Sequence, residues 1–131
     1  MATVRPSLCP LRVLVADDAG DVAAWLSVLL RHAGHEVRAA ANGNEAVAVA
    51  AEFHPQVALL DIGMPGLDGY EVARQIRALP GGETTVLVAT TGWGDAEDKA
   101  RTRAAGFEHH LVKPVPPDKL LALLSEISHK K

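Results

Sequence analysis

Five short apolar runs, each followed by a segment that reads as a helix, constrain the fold of this chain more than any other feature. The runs carry the apolar and β-branched residues typical of strands and lie at 11–16, 36–40, 57–60, 85–89 and 108–112. No hairpin turn joins two consecutive runs, and parallel neighbours need helical crossover connections. The alternation therefore predicts an α/β fold in which helices cover both faces of a five-stranded parallel sheet.

The helices are predicted between those runs, mostly from apolar residues at helical spacing, although the segment at 45–53 is Ala-rich and that at 95–105 is polar but compatible with a helix. The predicted segments are 21–33, 45–53, 68–79, 95–105 and 117–127. We interpret Asn42 and Gly43 as a turn before the second helix, and Pro55 as the residue that ends it. The predicted inner stripe of the first helix consists of Val22, Trp25, Leu26, Leu29, Leu30 and Ala33.

The size and composition of the chain limit the classes of protein to consider. A chain of 131 residues is one domain's worth, which we place at 11–127, after a flexible arm at 1–10 and before a tail at 128–131. The net charge of −3 without a basic stripe argues against nucleic acid as a partner. Cys9, the single cysteine, cannot form an internal disulfide. No apolar run approaches the roughly 20 residues of a membrane helix, and no signal peptide is recognisable, so we expect a cytoplasmic protein without membrane contact.

Polar side chains follow the predicted strands at the points where they end. Asp17 and Asp18 follow the first strand, Asp61 the third, Thr91 the fourth and Lys113 the fifth. In a parallel sheet these ends share one edge, where open α/β sheets place their ligands. An isolated aspartate such as Asp61 is more often a cap, so the convergence of several residues is what favours a site.

Three carboxylates in one crevice repel one another, and a single ammonium group does not neutralise them. Mg²⁺ is a divalent cation that prefers carboxylate and phosphate oxygens, although Mn²⁺ or Ca²⁺ could substitute. An oxygen-bound metal beside a hydroxyl and a lysine suits a phosphoryl group, with Asp61 as the nucleophile. The constellation therefore predicts phosphoryl transfer.

Four short stretches together resemble the receiver domain of two-component response regulators. They are Val-Ala-Asp-Asp at 15–18, Leu-Asp-Ile-Gly-Met-Pro-Gly-Leu-Asp-Gly at 60–69, Ala-Thr-Thr-Gly at 89–92 and Leu-Val-Lys-Pro at 111–114. Each stretch is weak alone, but all four occur in the family's order and at its spacing. The resemblance implies a flavodoxin-like receiver fold of five βα units with strand order 2-1-3-4-5.

The resemblance also implies how the acidic residues of the crevice act. Asp61 would accept a phosphoryl group from the phosphohistidine of a histidine kinase or of a histidine phosphotransfer protein. Asp18 would bind Mg²⁺ directly, and Asp17 would act largely through a water ligand. Gly63 would offer its backbone carbonyl to the metal.

The remaining residues of the crevice would contact the phosphoryl group. Thr91 would hydrogen-bond one of its oxygens, and Lys113 would pair with another. We choose Thr91 over Thr90 because the family's residue directly precedes a small one, here Gly92. The peptide bond between Lys113 and Pro114 would be cis, in the manner of the family.

Receiver domains switch by drawing the threonine toward the phosphate while an aromatic side chain of the fifth strand moves inward. The corresponding pair here is Thr91 and His110, at a position where Tyr or Phe is commoner. The alternative is that His110 is a surface imidazole without a role. Neither Gly63 nor Trp93 offers a side chain that would act as a base on water, so we expect no special acceleration of self-hydrolysis. Trp93 would shield the site or only anchor its loop.

Two surfaces are expected to bind proteins. The outer side of the first helix, with Ala24, Ser27, Val28 and Arg31, would dock the helices of a phosphodonor, with ordinary apolar exposure as the alternative. The predicted fourth helix, the fifth strand and the last helix form the family's usual output face, but the fourth helix is rich in charge here, and such a face is more often solvated than bound to a partner. We therefore expect a monomer or weak dimer that regulates a downstream protein partner.

Three interpretations of function remain open. The leading one is a phosphoacceptor signalling domain that is not a conventional enzyme. It would be a stand-alone regulator or the receiver of a hybrid histidine kinase, and the segment at 106–115 favours the second. The acidic crevice would otherwise belong to a Mg²⁺-dependent hydrolase of small phosphate esters, or to a receiver-like binding module that is not phosphorylated.

Overall fold

The computed structural model describes residues 11–62, 69–91, 103–112 and 115–130. In chain order the elements are β1 (Arg12–Ala16), α1 (Gly20–His32), β2 (Glu36–Ala40), α2 (Gly43–Phe53), β3 (Val57–Asp61), α3 (Gly69–Arg77), a 3-10 helix (Gly82–Thr84), β4 (Val86–Thr91), β5 (His109–Val112) and α4 (Pro117–Lys130). The helix predicted at 95–105 lies outside the described residues up to position 102. No helix in the described part of the chain is long and apolar enough to cross a membrane.

The strands form one parallel sheet in the order β2-β1-β3-β4-β5, which confirms the predicted fold and strand order. Ala16 of β1 lies beside Leu60 of β3, and Asp61 of β3 lies beside Thr90 of β4. The carboxyl ends of these three strands therefore meet at one edge of the sheet. We call it the carboxyl edge, and we call the opposite edge, where the strands begin, the amino edge.

The sheet separates two apolar layers, because alternate residues of each strand face opposite sides. One layer includes Leu60 and is covered by α2 and α3, with Ile76 in its core. The other includes Leu59 and is covered by α1 and α4, with Leu30 and Leu124 in its core. All five residues of β3 are buried, as predicted for a central strand of a parallel sheet.

The start of α2 differs from the prediction. Asn42 is the N-cap of this helix: its Oδ1 accepts a hydrogen bond of 2.8 Å from the backbone N–H of Glu45. The carboxylate of Glu45 accepts in return from the N–H of Ala41 at 3.1 Å. This reciprocal pairing resembles a capping box. It starts the helix at Gly43, two residues before the predicted position.

The buried stripe of α1 is rotated relative to the predicted one. Ala23, Leu26 and Leu30 are buried, whereas the side chain of Trp25 is 49% exposed, so the prediction that Trp25 is a core residue was wrong. Ser27 is buried and donates a hydrogen bond of 2.7 Å to the carbonyl of Ala23, so its placement on the outer side of the helix was also wrong. A helix that packs on a sheet buries only one stripe of its surface, and the smaller residues in that stripe allow it to approach closely.

The later helices differ from the prediction mainly at their ends. α3 ends at Arg77, after which the N–H of Leu79 bonds to the carbonyl of Ile76 and that of Gly82 bonds to the carbonyl of Leu79. The chain thus tightens into the 3-10 helix rather than continuing to position 79. α4 runs to Lys130, three residues beyond the predicted end of the domain.

The side chain of Arg77 stabilises the amino edge of the sheet through hydrogen bonds. Its guanidinium reaches three segments: the 3-10 helix, the start of β4 and the turn before β5. Nη1 donates to the carbonyl oxygens of Gly82, Glu83 and Thr85 at 3.2, 3.1 and 2.6 Å, and Nη2 donates to the carbonyl of Gly106 at 2.8 Å and to the carboxylate of Glu108 at 3.4 Å. One side chain therefore closes the connections that lead into two strands.

Candidate functional site

Three carboxylates meet at the carboxyl edge of the sheet. Asp17 and Asp18 directly follow β1, and Asp61 is the last residue of β3. Each offers one oxygen atom, and these atoms all lie within 4.8 Å of one another. Asp17 and Asp61 are only 2% and 5% exposed, whereas Asp18 is exposed. The structure thus brings together the three carboxylates that the sequence suggested as a group.

Backbone contacts hold this group in place. The N–H of Asp17 continues the β1–β2 ladder with a hydrogen bond of 3.1 Å to the carbonyl of Ala40. The Oδ1 atom of Asp17 accepts a hydrogen bond of 2.9 Å from the N–H of Ala19, which fixes its carboxylate in an Asx turn. On the other side, the N–H of Ile62 bonds to the carbonyl of Thr90 at 3.1 Å. Strand pairing therefore extends to the residues that flank Asp61.

Gly69 is a site-supporting residue that sequence reasoning missed. Its N–H bonds to the carbonyl of Ile62 at 3.2 Å. A Cβ at this position would lie 2.7 Å from the Cα of Ile62 and 2.9 Å from the carbonyl oxygen of Asp61. Only glycine allows α3 to begin against the backbone of the central aspartate. The glycine was visible in the sequence, but the close approach depends on how the two segments fold together.

The two threonines at the end of β4 are both buried. Thr90 is 3% exposed and pairs with Asp61, and Thr91 is 4% exposed and pairs with Val112 of β5. Adjacent strand residues point to opposite faces, so the two hydroxyls occupy different sides of the sheet. The choice of Thr91 as the functional hydroxyl stays a prediction. Gly63, Trp93, Lys113 and Pro114, to which roles were also assigned, lie outside the described residues.

His110 does not fit the description of a surface imidazole. It lies beside Ala89 of β4 in the sheet, and both nitrogens of its ring are shielded from solvent. Ala89 belongs to the apolar layer under α2 and α3. The imidazole of His110 therefore points inward. Whether it takes part in switching stays a prediction.

A bound cation would offset the repulsion between the negative charges of the acidic group. Two carboxylates at such a separation near a protein surface repel by about 3 kcal/mol, and two of these three are shielded from water. All the donor atoms are carboxylate oxygens, the ligands that hard divalent cations prefer. The residues present therefore fit an ion such as Mg²⁺.

This chain is similar to known proteins in both sequence and structure. The family model for the response regulator receiver domain matches residues 13–125. Protein PilH of Pseudomonas aeruginosa is 32% identical over 116 residues, which cover 88% of this chain and 96% of PilH. The structure of the chemotaxis protein CheY4 of Vibrio cholerae superposes with a TM-score of 0.86 at 32% identity, over 90% of this chain and 98% of CheY4.

A third similar protein comes from a kinase. The receiver domain of the sensor histidine kinase PA1611 from Pseudomonas aeruginosa, whose structure has a magnesium ion coordinated in the active-site cleft, superposes with a TM-score of 0.83. It is 28% identical, and the alignment covers 92% of this chain and 98% of that domain. The family model, the relatives and the observed strand order agree with one another. This chain belongs to the response regulator receiver domain family.

Proposed function

We propose that Asp61 is the residue through which this receiver domain performs its phosphoacceptor signalling role. The observation that supports Asp61 most directly is its position: a buried carboxylate that ends the central strand, within 4.8 Å of two others. Receiver domains in general are signalling domains rather than enzymes. Asp61 would accept the phosphoryl group from the phosphohistidine of a histidine kinase or of a phosphotransfer protein, and the chain would then switch to regulate a partner.

Asp17, Asp18 and Asp61 would hold the Mg²⁺ that receiver domains bind at an acidic pocket. The carbonyl of Gly63 would complete the protein ligands. When bound, the metal neutralises the carboxylates and the oxygens of the incoming phosphoryl group. The Asx turn of Asp17, in which its Oδ1 accepts a hydrogen bond from the N–H of Ala19, helps to orient its carboxylate in the crevice.

The carboxylate of Asp61 supplies the nucleophile of the transfer. One of its oxygens bonds to phosphorus while the bond from phosphorus to the donor imidazole breaks, and the electron pair returns to the ring nitrogen. Thr91 and Lys113 would hydrogen-bond the phosphoryl oxygens. The transfer requires the attacking oxygen of Asp61 to stay in position, and the contacts of Ile62 and Gly69 restrain the backbone on that side.

We assign the conformational change that would follow phosphorylation to Thr91 and His110. Both side chains belong to the paired strands β4 and β5, whose register joins Ala89 to His110 and Thr91 to Val112. A shift of Thr91 toward a phosphoryl group would change the space beside the fifth strand. His110 already points inward, so we infer that its ring is repacked rather than drawn in from solvent.

The outer face of α1 is the proposed docking surface for the phosphodonor. Ala24, Trp25, Val28 and Arg31 are exposed there, and Val28 is 65% exposed. Exposed apolar residues at helical spacing suit the apolar face of a partner helix. The N-terminal part of α1, which carries Ala24 and Trp25, follows the carboxyl edge in the chain, so a helix docked there would bring its histidine toward Asp61.

Several further assignments stay predictions. The similarity to the PA1611 receiver domain supports an origin in a hybrid histidine kinase. The similarity to PilH supports a stand-alone regulator equally well. The downstream partner, a weak dimer formed through the output face, and the cytoplasmic location are likewise predicted and not tested.

Incubation with Mg²⁺ and acetyl phosphate, followed by intact mass measurement, tests the function. We expect one phosphoryl adduct that disappears in Asp61→Asn and persists in Asp118→Asn, a matched change of an exposed aspartate in the first turn of α4. Catalytic turnover of phosphate esters would favour the hydrolase instead. Absence of any adduct, together with absence of a beryllofluoride response by NMR, would favour a binding module.

A further inference from the structure

A groove lies between α1 and the segment that leads into α4, next to the carboxyl edge. Its volume is about 820 Å³, within the range of sites that hold small molecules. Its walls are mainly apolar and are formed by Val22 and Leu26 of α1 and by Pro116 and Pro117 on the opposite side. The half-exposed indole of Trp25 forms part of the rim. It is unusual for a side chain as large and apolar as an indole to remain in contact with solvent beside an apolar groove.

The groove has a charged end. Asp17 and Asp21 line it, and no lysine or arginine is among its described lining residues. Asp21 is in the first turn of α1, four residues before Trp25, so the carboxylate and the indole share one face of the helix. Carboxylates beside the face of a tryptophan attract an ammonium group by ion pairing and by cation–π interaction. The apolar walls favour a hydrocarbon body next to that charge.

We propose that this groove binds a small amphipathic ammonium compound, with an aryl or alkyl body between α1 and the two prolines. The ammonium group lies toward Asp21 and Asp17, and Trp25 covers the body of the ligand. Nothing in this proposal requires Asp61 to be phosphorylated.

A second consequence rests on the proposed function. Asp17 lines the groove and also belongs to the acidic group that would hold Mg²⁺. A ligand cation and a metal ion that share one carboxylate weaken each other's binding by the same factor. The ammonium compound therefore acts as an inhibitor of metal-dependent phosphorylation.

Phenethylamine is the probe, and phenethyl alcohol is its neutral control of nearly equal shape. Titrations of the full chain followed by amide NMR should show shifts in Val22, Trp25 and Leu26, with the amine binding about two- to fivefold more tightly than the alcohol. Asp21→Asn should remove this preference, and Trp25→Ala should weaken both probes. Asp118→Asn, an exposed aspartate outside the groove, should change neither affinity.

The outcomes separate the two parts of the proposal. Equal affinities for amine and alcohol, or shifts located away from α1, would overturn the groove assignment. If the amine binds as expected but its affinity is unaffected by Mg²⁺, the shared role of Asp17 fails while the groove stands. Adduct formation on Asp61 with acetyl phosphate, measured without the probe, tests the proposed function independently of both.

Discussion

Charged side chains have opposite surroundings at the two edges of the sheet. At the carboxyl edge, three carboxylates crowd within 4.8 Å of one another. At the amino edge, the guanidinium of Arg77 donates to four carbonyl oxygens and a carboxylate from three separate segments. Among the described residues, one edge concentrates like charges, and at the other a single positive charge donates hydrogen bonds to acceptors from three segments.

The carboxyl edge carries the candidate site, whereas the amino edge carries contacts that stabilise the fold. Like charges in a shielded crevice raise the free energy of the folded state unless a cation binds. Hydrogen bonds from a cation to carbonyl oxygens lower that free energy and fix the loops that carry them. Substitutions at the two edges should therefore change stability in opposite directions, and the following experiments test that expectation.

Gly82→Ala should give the largest effect, at the amino edge. A Cβ on Gly82 would overlap the carbonyl oxygen of Ile76, which is backbone and cannot move aside. We expect the free energy of unfolding in urea to fall by about 3 kcal/mol. Gly20→Ala is the control, because nothing lies within 4 Å of the added methyl group, and it should be neutral or slightly stabilising. Equal effects of the two changes would contradict the close packing of the 3-10 helix.

Arg77→Met should destabilise the domain by about 2–3 kcal/mol, because it leaves several carbonyl groups of the amino edge without their donor. Arg77→Lys should recover only part of the loss, since an ammonium cannot reach all three segments. Arg74→Met removes an arginine of the same helix that is 61% exposed and contacts only Glu71 among the described residues. Its effect should stay below about 0.5 kcal/mol. A comparable loss in both methionine variants would show that Arg77 does not fasten this edge.

Asp61→Asn should stabilise the chain by about 1 kcal/mol in the absence of divalent cations, because it removes one charge from the acidic group without changing its shape. Added Mg²⁺ should then stabilise the unaltered protein more than the variant, and the advantage should shrink or reverse. Urea unfolding in EDTA and in Mg²⁺ measures both effects. A loss of stability in EDTA would mean that the carboxylates do not strain the carboxyl edge.

His35 should give the smallest effect, as a dependence of stability on pH. Its Nδ1 accepts a hydrogen bond of 3.0 Å from the N–H of Leu11, and burial lowers the pKa of the imidazole below 6.5. The unfolded chain therefore binds this proton at a higher pH than the folded chain does. The contribution to stability is complete above pH 6.5 and is lost as the pH falls toward the lowered pKa.

The measurement is the free energy of unfolding as a function of pH in the two variants His35→Gln and His32→Gln. The first should flatten the decline below neutral pH, and the second, at an exposed position, should leave it unchanged. Parallel curves for His35→Gln and the unaltered protein would assign the decline to other groups.

Much of the fold followed from short-range patterns. The apolar runs predicted the five strands to within one residue at most ends, and β2 matched its predicted bounds. The helix starts were less accurate where a side chain decides the first turn, as Asn42 does for α2. Trp25 was misplaced because hydrophobicity alone does not say which of several adjacent apolar residues faces a sheet.

The candidate site was also only partly predictable from the sequence. Asp17, Asp18 and Asp61 could be grouped from the sequence because each follows a strand, and parallel strands end at one edge. Gly69 could not be recognised as a support for Asp61, because its requirement for a missing Cβ arises only where α3 meets Ile62. The inward position of His110 was also undecided until the register of β5 was known.

The sequence by itself therefore determined the order of the elements, the parallel sheet and the aspartates at its carboxyl edge, since these follow from residue periodicity and chain connectivity. Only the tertiary structure decided that Arg77 closes the amino edge, that Gly82 touches Ile76 and that His35 holds the start of β1. Those contacts join segments far apart in the chain or depend on close approach between backbones. Their energy comes from distances and burial, which no local pattern of residues specifies.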